Sequence, residues 1–174
     1  MKVLALDSST EWVGVAACDA GTSLLREERA AAANSQRILP LVDAVLVEAG
    51  WRLADLDGIA YGAGPGAFTG VRIACGVAQG LGLGADRPLV GIGTLEALAQ
   101  AAWQTCRAAR VFACLDARMR EVYTAAYVRG GGQWREAAPP AVVAPADVLR
   151  GRAFGDGDWY GAGNGFAAYP ALKA

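Results

Sequence analysis

The chain has 174 residues, 54% of them hydrophobic and 19% charged, with a formal net charge of −1 and a pI near 5.5. This length buries an ordinary core as one domain or two small lobes without disulfide or metal staples, and the composition is too apolar for disorder. The charge balance argues against strong autonomous RNA binding, and the complete absence of histidine removes every Ser-His or Cys-His pair and every imidazole metal ligand.

The cysteines Cys18, Cys75, Cys106 and Cys114 form no CxxC pair, so they read as reduced thiols rather than a zinc site. Asp7 and Glu11 break any secretory apolar region near the start, and Arg72 and Gln79 interrupt the most apolar stretch. The expectation is a cytoplasmic chain with no membrane span.

In chain order, "KVLALD", "WVGVAAC" and "TSLLREERAA" predict a three-stranded meander with a polar turn at "SST" and Gly21 at the second turn. Ile38, Leu39, Leu41, Val42, Val45, Leu46 and Ala49 then form a helical stripe ended by Gly50, with Asn34 or Ser35 as its cap and Pro40 in or near the first turn. "LDGIAYGAG" predicts a buried strand, the glycine segment after it a second helix from about Phe68, "PLVGIG" a strand, and "TLEALAQAAWQTC" a third helix capped by Thr94. Strands recur at "RVFACLD", "EVYTAAYV" and "GQWREAAPPAVV", followed by a short helix at "PADVLRG" and a strand entering a glycine turn at "DWYGAGNG". The pattern is one strand-rich unit repeated, the second copy cut short.

The glycine-rich stretch from Tyr61 to Gly84 poses the functional question. "GAGPGAFTG" lacks the lysine of a Walker loop, and Gly62, Gly64, Gly66 and Gly70 do not have G-x-G-x-x-G spacing. A helix start near Phe68 still offers free amides to an anion, so Asp7, Ser8, Gly64, Gly66 and Thr69 form a candidate set for weak anion or nucleotide contacts. Asp7 has two readings, a ligand for a metal-bound nucleotide or a turn residue bonding nearby amides. Gly76, Gly80 and Gly84 recur every four residues with Arg72 in phase, flanked by Ile73, Val77 and Leu81. Three helical glycines cost about 2 to 3 kcal/mol relative to alanine, so something is expected to approach that backbone: another helix, or the protein's own sheet.

"MKVLALDSSTEWVGVAA", "NSQRILPLVDAVL", "LDGIAYGAGPGAFTGVRIACGVAQGLGLG" and "VGIGTLEALA" together resemble the TsaB (YeaZ) family, in register from residue 1 to about 127, with a weaker echo at "GAGNGFAAY". The resemblance implies an α/β, actin-like ATPase (ASKHA) fold of duplicated βββαβα lobes, here an N-terminal lobe over 1–107 and a C-terminal lobe over 108–174 expected to be incomplete at its end. It also implies a non-catalytic subunit with no cofactor, which scaffolds and activates a TsaD-like transferase that threonylcarbamoylates tRNA adenosine beside the anticodon. A TsaE-like ATPase joins the larger complex, and a homodimer forms when the partner is absent. The implied partner surface comprises Ser35, Ile38, Leu39, Val42, Leu46, Arg72, Ile73, Gly76, Val77 and Gly80. TsaD-like chains carry an H-x-x-x-H metal pair where this sequence has Asn34 and Ile38, so the same metal cannot be held here. Asn34 also departs from the His-Ser that often opens this helix in TsaB-like chains. The alternatives are an actin-fold ATPase or phosphotransferase built on Asp7 and, least favoured without histidine, a peptidase.

Overall fold

The computed structural model describes residues 1–30, 33–148, 150 and 157–173. It divides into two compact units, Met1–Gly93 and Thr94–Ala174. In the first, β1 (Val3–Asp7), β2 (Trp12–Asp19) and β3 (Thr22–Arg29) form the expected antiparallel meander. Alternation along β1 and β2 sends Leu4, Leu6, Val13 and Val15 to the covered face. Strands β4 (Gly58–Gly62) and β5 (Leu89–Ile92) add in parallel, giving the order β3-β2-β1-β4-β5. Parallel neighbours need crossovers, and α2 (Phe68–Ala85) supplies the one from β4 to β5.

Helix α1 (Asn34–Ala49) precedes β4 and packs beside α2 on the same sheet. Its side chains Ile38, Leu41, Val42, Val45 and Leu46 are buried and join Leu4, Val13, Val15 and Ile59 in the first core. Full burial of each aliphatic chain is worth about 1.5 to 3 kcal/mol, so this stripe anchors the helix. Gly50 ends it at φ 67°, and the Trp51 amide donates to the Leu46 carbonyl at 2.9 Å. That is a Schellman closure, which needs the left-handed conformation glycine adopts without strain.

Several local expectations need correction. Ala33, not Asn34 or Ser35, occupies the N-cap, and no side chain caps α1. The Asn34 amide instead turns inward, toward the carbonyls of Ser8 and Thr10. Pro40 sits in the second turn, inside the helix. The Thr94 hydroxyl, expected as a cap, is buried without a hydrogen-bond partner.

In the second unit, β6 (Arg110–Arg118), β7 (Glu121–Gly130) and β8 (Gln133–Val143) again form an antiparallel meander, and β9 (Tyr160–Ala162) pairs parallel with β6. The order β8-β7-β6-β9 follows the plan of β3-β2-β1-β4. Among the described residues there is no counterpart of β5 or of a long helix between β8 and β9. The expected "PADVLRG" helix is one 3₁₀ turn at Pro145–Asp147, with Leu149 and Gly151 outside the described residues.

Helix α3 (Thr94–Cys106) packs Leu95, Ala99 and Ala102 against Val111, Ala113 and Leu115 of β6. The division between units therefore falls at Gly93–Thr94, and α3 packs with the second unit rather than closing the first after Arg107. The opposite face of β6 carries Phe112 and Cys114 against Val122, Ala126 and Val148, with Phe166 of α4 (Gly165–Ala168) beside them. A strand covered on both faces reads as a continuous apolar run, as "VFACL" does.

The thiols differ accordingly. Burial, reinforced by the nearby Asp116, pushes the Cys114 thiol up to about 11, whereas Cys106 is exposed. Brief iodoacetamide treatment of the native protein at pH 8 is expected to modify Cys106 and to leave Cys114 intact until denaturant is added. Peptide mass spectrometry checks this, and rapid native labelling of Cys114 would mean that its unit opens.

Candidate functional site

The glycine segment splits into two sets with opposite environments. Gly62, Gly66 and Gly70 lie where β4 and the start of α2 meet the β1–β2 turn. A Cβ on Gly62 would fall 1.7 Å from Asp7 Oδ2, one on Gly66 2.4 Å from the Ser9 carbonyl oxygen, and one on Gly70 1.8 Å from the Ser8 carbonyl oxygen. At Gly66 and Gly70 these are backbone approaches that only glycine permits, whereas at Gly62 the neighbour is the Asp7 carboxylate. The turn is then fastened from both sides. The Ser8 hydroxyl donates to the Gly70 carbonyl at 2.8 Å, and the Ala67 amide donates to the Ser9 carbonyl at 2.6 Å.

Asp7 takes part in the same clamp. Its Oδ1 accepts from the Ser9 amide at 2.8 Å and the Ser9 hydroxyl at 2.7 Å, the geometry of an Asx turn. Ser8 is fully buried, Gly64 stands at φ 88° against Val71, and Thr69 is exposed at the first turn of α2. Asp7 Oδ1 and the Ser8 hydroxyl are thus engaged in closing the turn. What remains for an anion at this end of α2 is its first-turn amides.

The second set faces outward. Around Gly76, Gly80 and Gly84 nothing lies within 4 Å of a built Cβ. Their counterparts on the inner side of α2 are Gly70, Ala74, Ala78 and Gly82, all buried, and small enough to let the helix sit close on the sheet. Ile73, Val77 and Leu81 pack partly buried against the first core. Large apolar side chains are also exposed on both helices: on α2, Phe68 is 73% and Leu83 87% exposed, and on α1, Leu39 is 48% and Val47 81% exposed. Arg72 stacks its guanidinium 3.3 Å over the Phe68 ring centroid and donates to the Phe68 carbonyl.

Of the residues expected on a partner surface, Ser35, Leu39, Arg72, Gly76 and Gly80 lie on this outer side. Ile38, Val42 and Leu46 do not, because the apolar stripe of α1 is what fastens it to its own sheet and they are 0%, 1% and 7% exposed. Phe68, Val47 and Leu83 are exposed as well, and the sequence marks them only weakly: Val47 is an off-stripe valine in an apolar helix, Phe68 precedes the glycine row, and Leu83 falls outside its four-residue spacing. Among the described residues no three His, Cys, Asp or Glu side chains converge on one point, and no helix is long and apolar enough to cross a membrane. What the outer sides of α1 and α2 offer is bare helix backbone at Gly76, Gly80 and Gly84 and exposed apolar side chains.

Comparison with known proteins adds the family. Residues 27–168 match the family model TsaD, described as tRNA N6-adenosine threonylcarbamoyltransferase. The chain is 44% identical over 173 residues to the tRNA threonylcarbamoyladenosine biosynthesis protein TsaB of Escherichia coli, covering 99% of this chain and 75% of that protein. It is 40% identical over 177 residues to the Haemophilus influenzae protein of the same name, covering 97% and 74%. The solved structure of YeaZ from Pseudomonas aeruginosa superposes with a TM-score of 0.91 at 44% identity, covering 98% of this chain and 79% of that one. With 44% and 40% identity over nearly the whole chain to proteins of that name, the chain belongs to the TsaB (YeaZ) family.

Proposed function

We propose that this chain acts in tRNA threonylcarbamoyladenosine biosynthesis as a non-catalytic scaffold, pairing with a TsaD-like transferase through the outer faces of α1 and α2. The observation that carries the reading is the exposed row Gly76, Gly80 and Gly84, where a Cβ would meet nothing within 4 Å, on a helix that also exposes Phe68 and Leu83 while α1 exposes Leu39 and Val47. Glycine at such positions costs helix stability and lets two backbones approach closely, which suits a helix from a second chain. The same patch serves a homodimer when the transferase is absent, and a TsaE-like ATPase joins the assembled pair. We further read the repeated strand order as a duplicated actin-like lobe, in a protein that works in the cytoplasm.

The test is co-elution of the chain with its cognate TsaD-like subunit, with wild type and with Gly76→Leu and Gly80→Leu. Overpacking at a close crossing costs about 1 to 3 kcal/mol, which corresponds to roughly 5- to 150-fold weaker association. The thermal midpoint of the isolated variants should hold or rise, because the added side chains meet open space. Full-strength association of both variants would remove the patch from the interface. The rival reading, an actin-fold ATPase using Asp7, predicts phosphate release above background that Asp7→Ala abolishes; the scaffold reading predicts none.

A further inference from the structure

The net charge of −1 hides a segregation. Residues 1–93 carry 7 Lys and Arg against 10 Asp and Glu, and residues 94–174 carry 9 against 7. Both units pair some of their arginines with carboxylates and leave others unpaired among the described residues. In the first, Arg26, Arg29, Arg37 and Arg52 each pair with a carboxylate, that of Glu48, Glu11, Glu28 and Asp55 respectively. In the second, Arg118 and Arg150 pair with Asp116 and Asp147, whereas Arg107, Arg110, Arg129 and Arg135 form no ion pair among the described residues.

These four gather at one end of the second sheet. Cross-strand register aligns Arg110 with Val128 and Val128 with Arg135, which puts both arginines on one face. Arg129 is the partner of Trp134, on the other face, where α3 ends. There the Arg129 guanidinium lies 4.9 Å from the Trp103 ring and 5.5 Å from the Trp134 ring, and the Arg107 guanidinium lies 5.5 Å from the Trp103 ring. Gln100 Oε1 accepts from both Arg129 and the Trp134 indole, at 3.1 and 2.9 Å. The acceptor is a neutral amide, so the ladder is held in place without an ion pair to Arg129 among the described residues, although Glu96 and Glu136 lie close enough to act on the neighbouring Tyr127. A stacked guanidinium keeps its N–H edge available for a phosphate oxygen, and alternating arginine and tryptophan is the chemistry of single-stranded nucleic-acid platforms.

We infer that this arginine and tryptophan end of the second unit contacts RNA, taking the phosphodiester backbone of a loop on the exposed Arg107, Arg110 and Arg135 and an unstacked base against the indoles. The inference rests on the proposed role in tRNA modification and names the surface that would face the nucleic acid. Three or four phosphate contacts are too few for strong binding by the chain alone, in keeping with its overall charge, and suffice to orient RNA within an assembly.

Fluorescence anisotropy of a labelled tRNA anticodon stem-loop tests it, with the chain alone and with its complex with the TsaD-like subunit. Binding should weaken with salt with a log-log slope of about −2 to −3. The triple variant Arg107→Glu, Arg110→Glu, Arg135→Glu should lose at least roughly tenfold in affinity in both settings. The control Arg26→Glu, Arg29→Glu, Arg52→Glu changes the net charge equally on the first unit and should bind as wild type. Equal loss in both variants, undiminished binding by the first, or displacement of RNA by an acidic peptide of matched charge would each overturn the inference. Failure of the chain to co-elute with the TsaD-like subunit would count against the scaffold role instead, and is read separately.

Discussion

Gly70→Ala is expected to lower the stability of the first unit by about 3 kcal/mol or more, the upper end of overpacking costs. The same substitution two turns later, Gly76→Ala, is expected to raise it by up to about 1 kcal/mol. Both glycines lie in α2 and both changes add one methyl group. At Gly70 that methyl would lie 1.8 Å from the Ser8 carbonyl oxygen, an atom of main chain that is itself fixed by the Ser8 hydroxyl and the Ala67 amide. No side-chain rotation relieves the clash, so either α2 moves off the sheet or the β1–β2 turn opens. At Gly76 the methyl meets nothing within 4 Å and only the helix propensity changes. Urea titrations of the two variants read the contrast directly. Two losses of similar size would mean that the outer row packs on something in the free chain, and two neutral results would mean that the clamp yields cheaply.

The second large effect concerns α1. Val42→Glu should cost about 3 to 5 kcal/mol and leave much of the chain unfolded, since it places an unpaired carboxylate at a position 1% exposed, among Leu4, Val13 and Ile59. Val47→Glu, one turn further on the same helix, should fold normally because that side chain is 81% exposed. Under the proposed function it should nonetheless weaken association with the TsaD-like subunit. Circular dichroism with a thermal scan, followed by co-elution, separates the two outcomes. A well-folded Val42→Glu chain that no longer associates would return Val42 to the partner surface and contradict its burial.

That pair shows where sequence reading stops. The spacing of Ile38, Val42 and Leu46 identifies a helical apolar stripe, but a stripe that binds a partner and a stripe that binds the protein's own sheet have the same period. Gly76 and Gly80 carry the same ambiguity in reverse, because a missing side chain records close approach or plain vacancy alike. The decision needs the sheet: α1 and α2 each turn one side to it, and whatever remains is outside. The clamp on the β1–β2 turn was hidden for a related reason. Asp7 and Gly66 are 59 residues apart in sequence, and neither residue type distinguishes a phosphate cradle from a backbone contact.

What the sequence by itself determined is the set of elements and their order: the meander from three short strand runs, the α1 stripe stopped at Gly50, the second meander, and the family through segments with characteristic local wording. Those are properties of neighbouring residues, whose periodicity and turn chemistry act over a few positions. The tertiary structure alone decided the uses of those elements. Parallel pairing of β4 with β1 brings Gly62 onto Asp7 and Gly70 onto Ser8, which closes the anion candidate into a turn. Packing of α3 on β6 moves the boundary between units to Gly93, and cross-strand register collects Arg110, Arg129 and Arg135 at one end of a sheet. Each of these depends on contacts between residues tens of positions apart, which form only when the hydrophobic faces of helices and sheet are buried together.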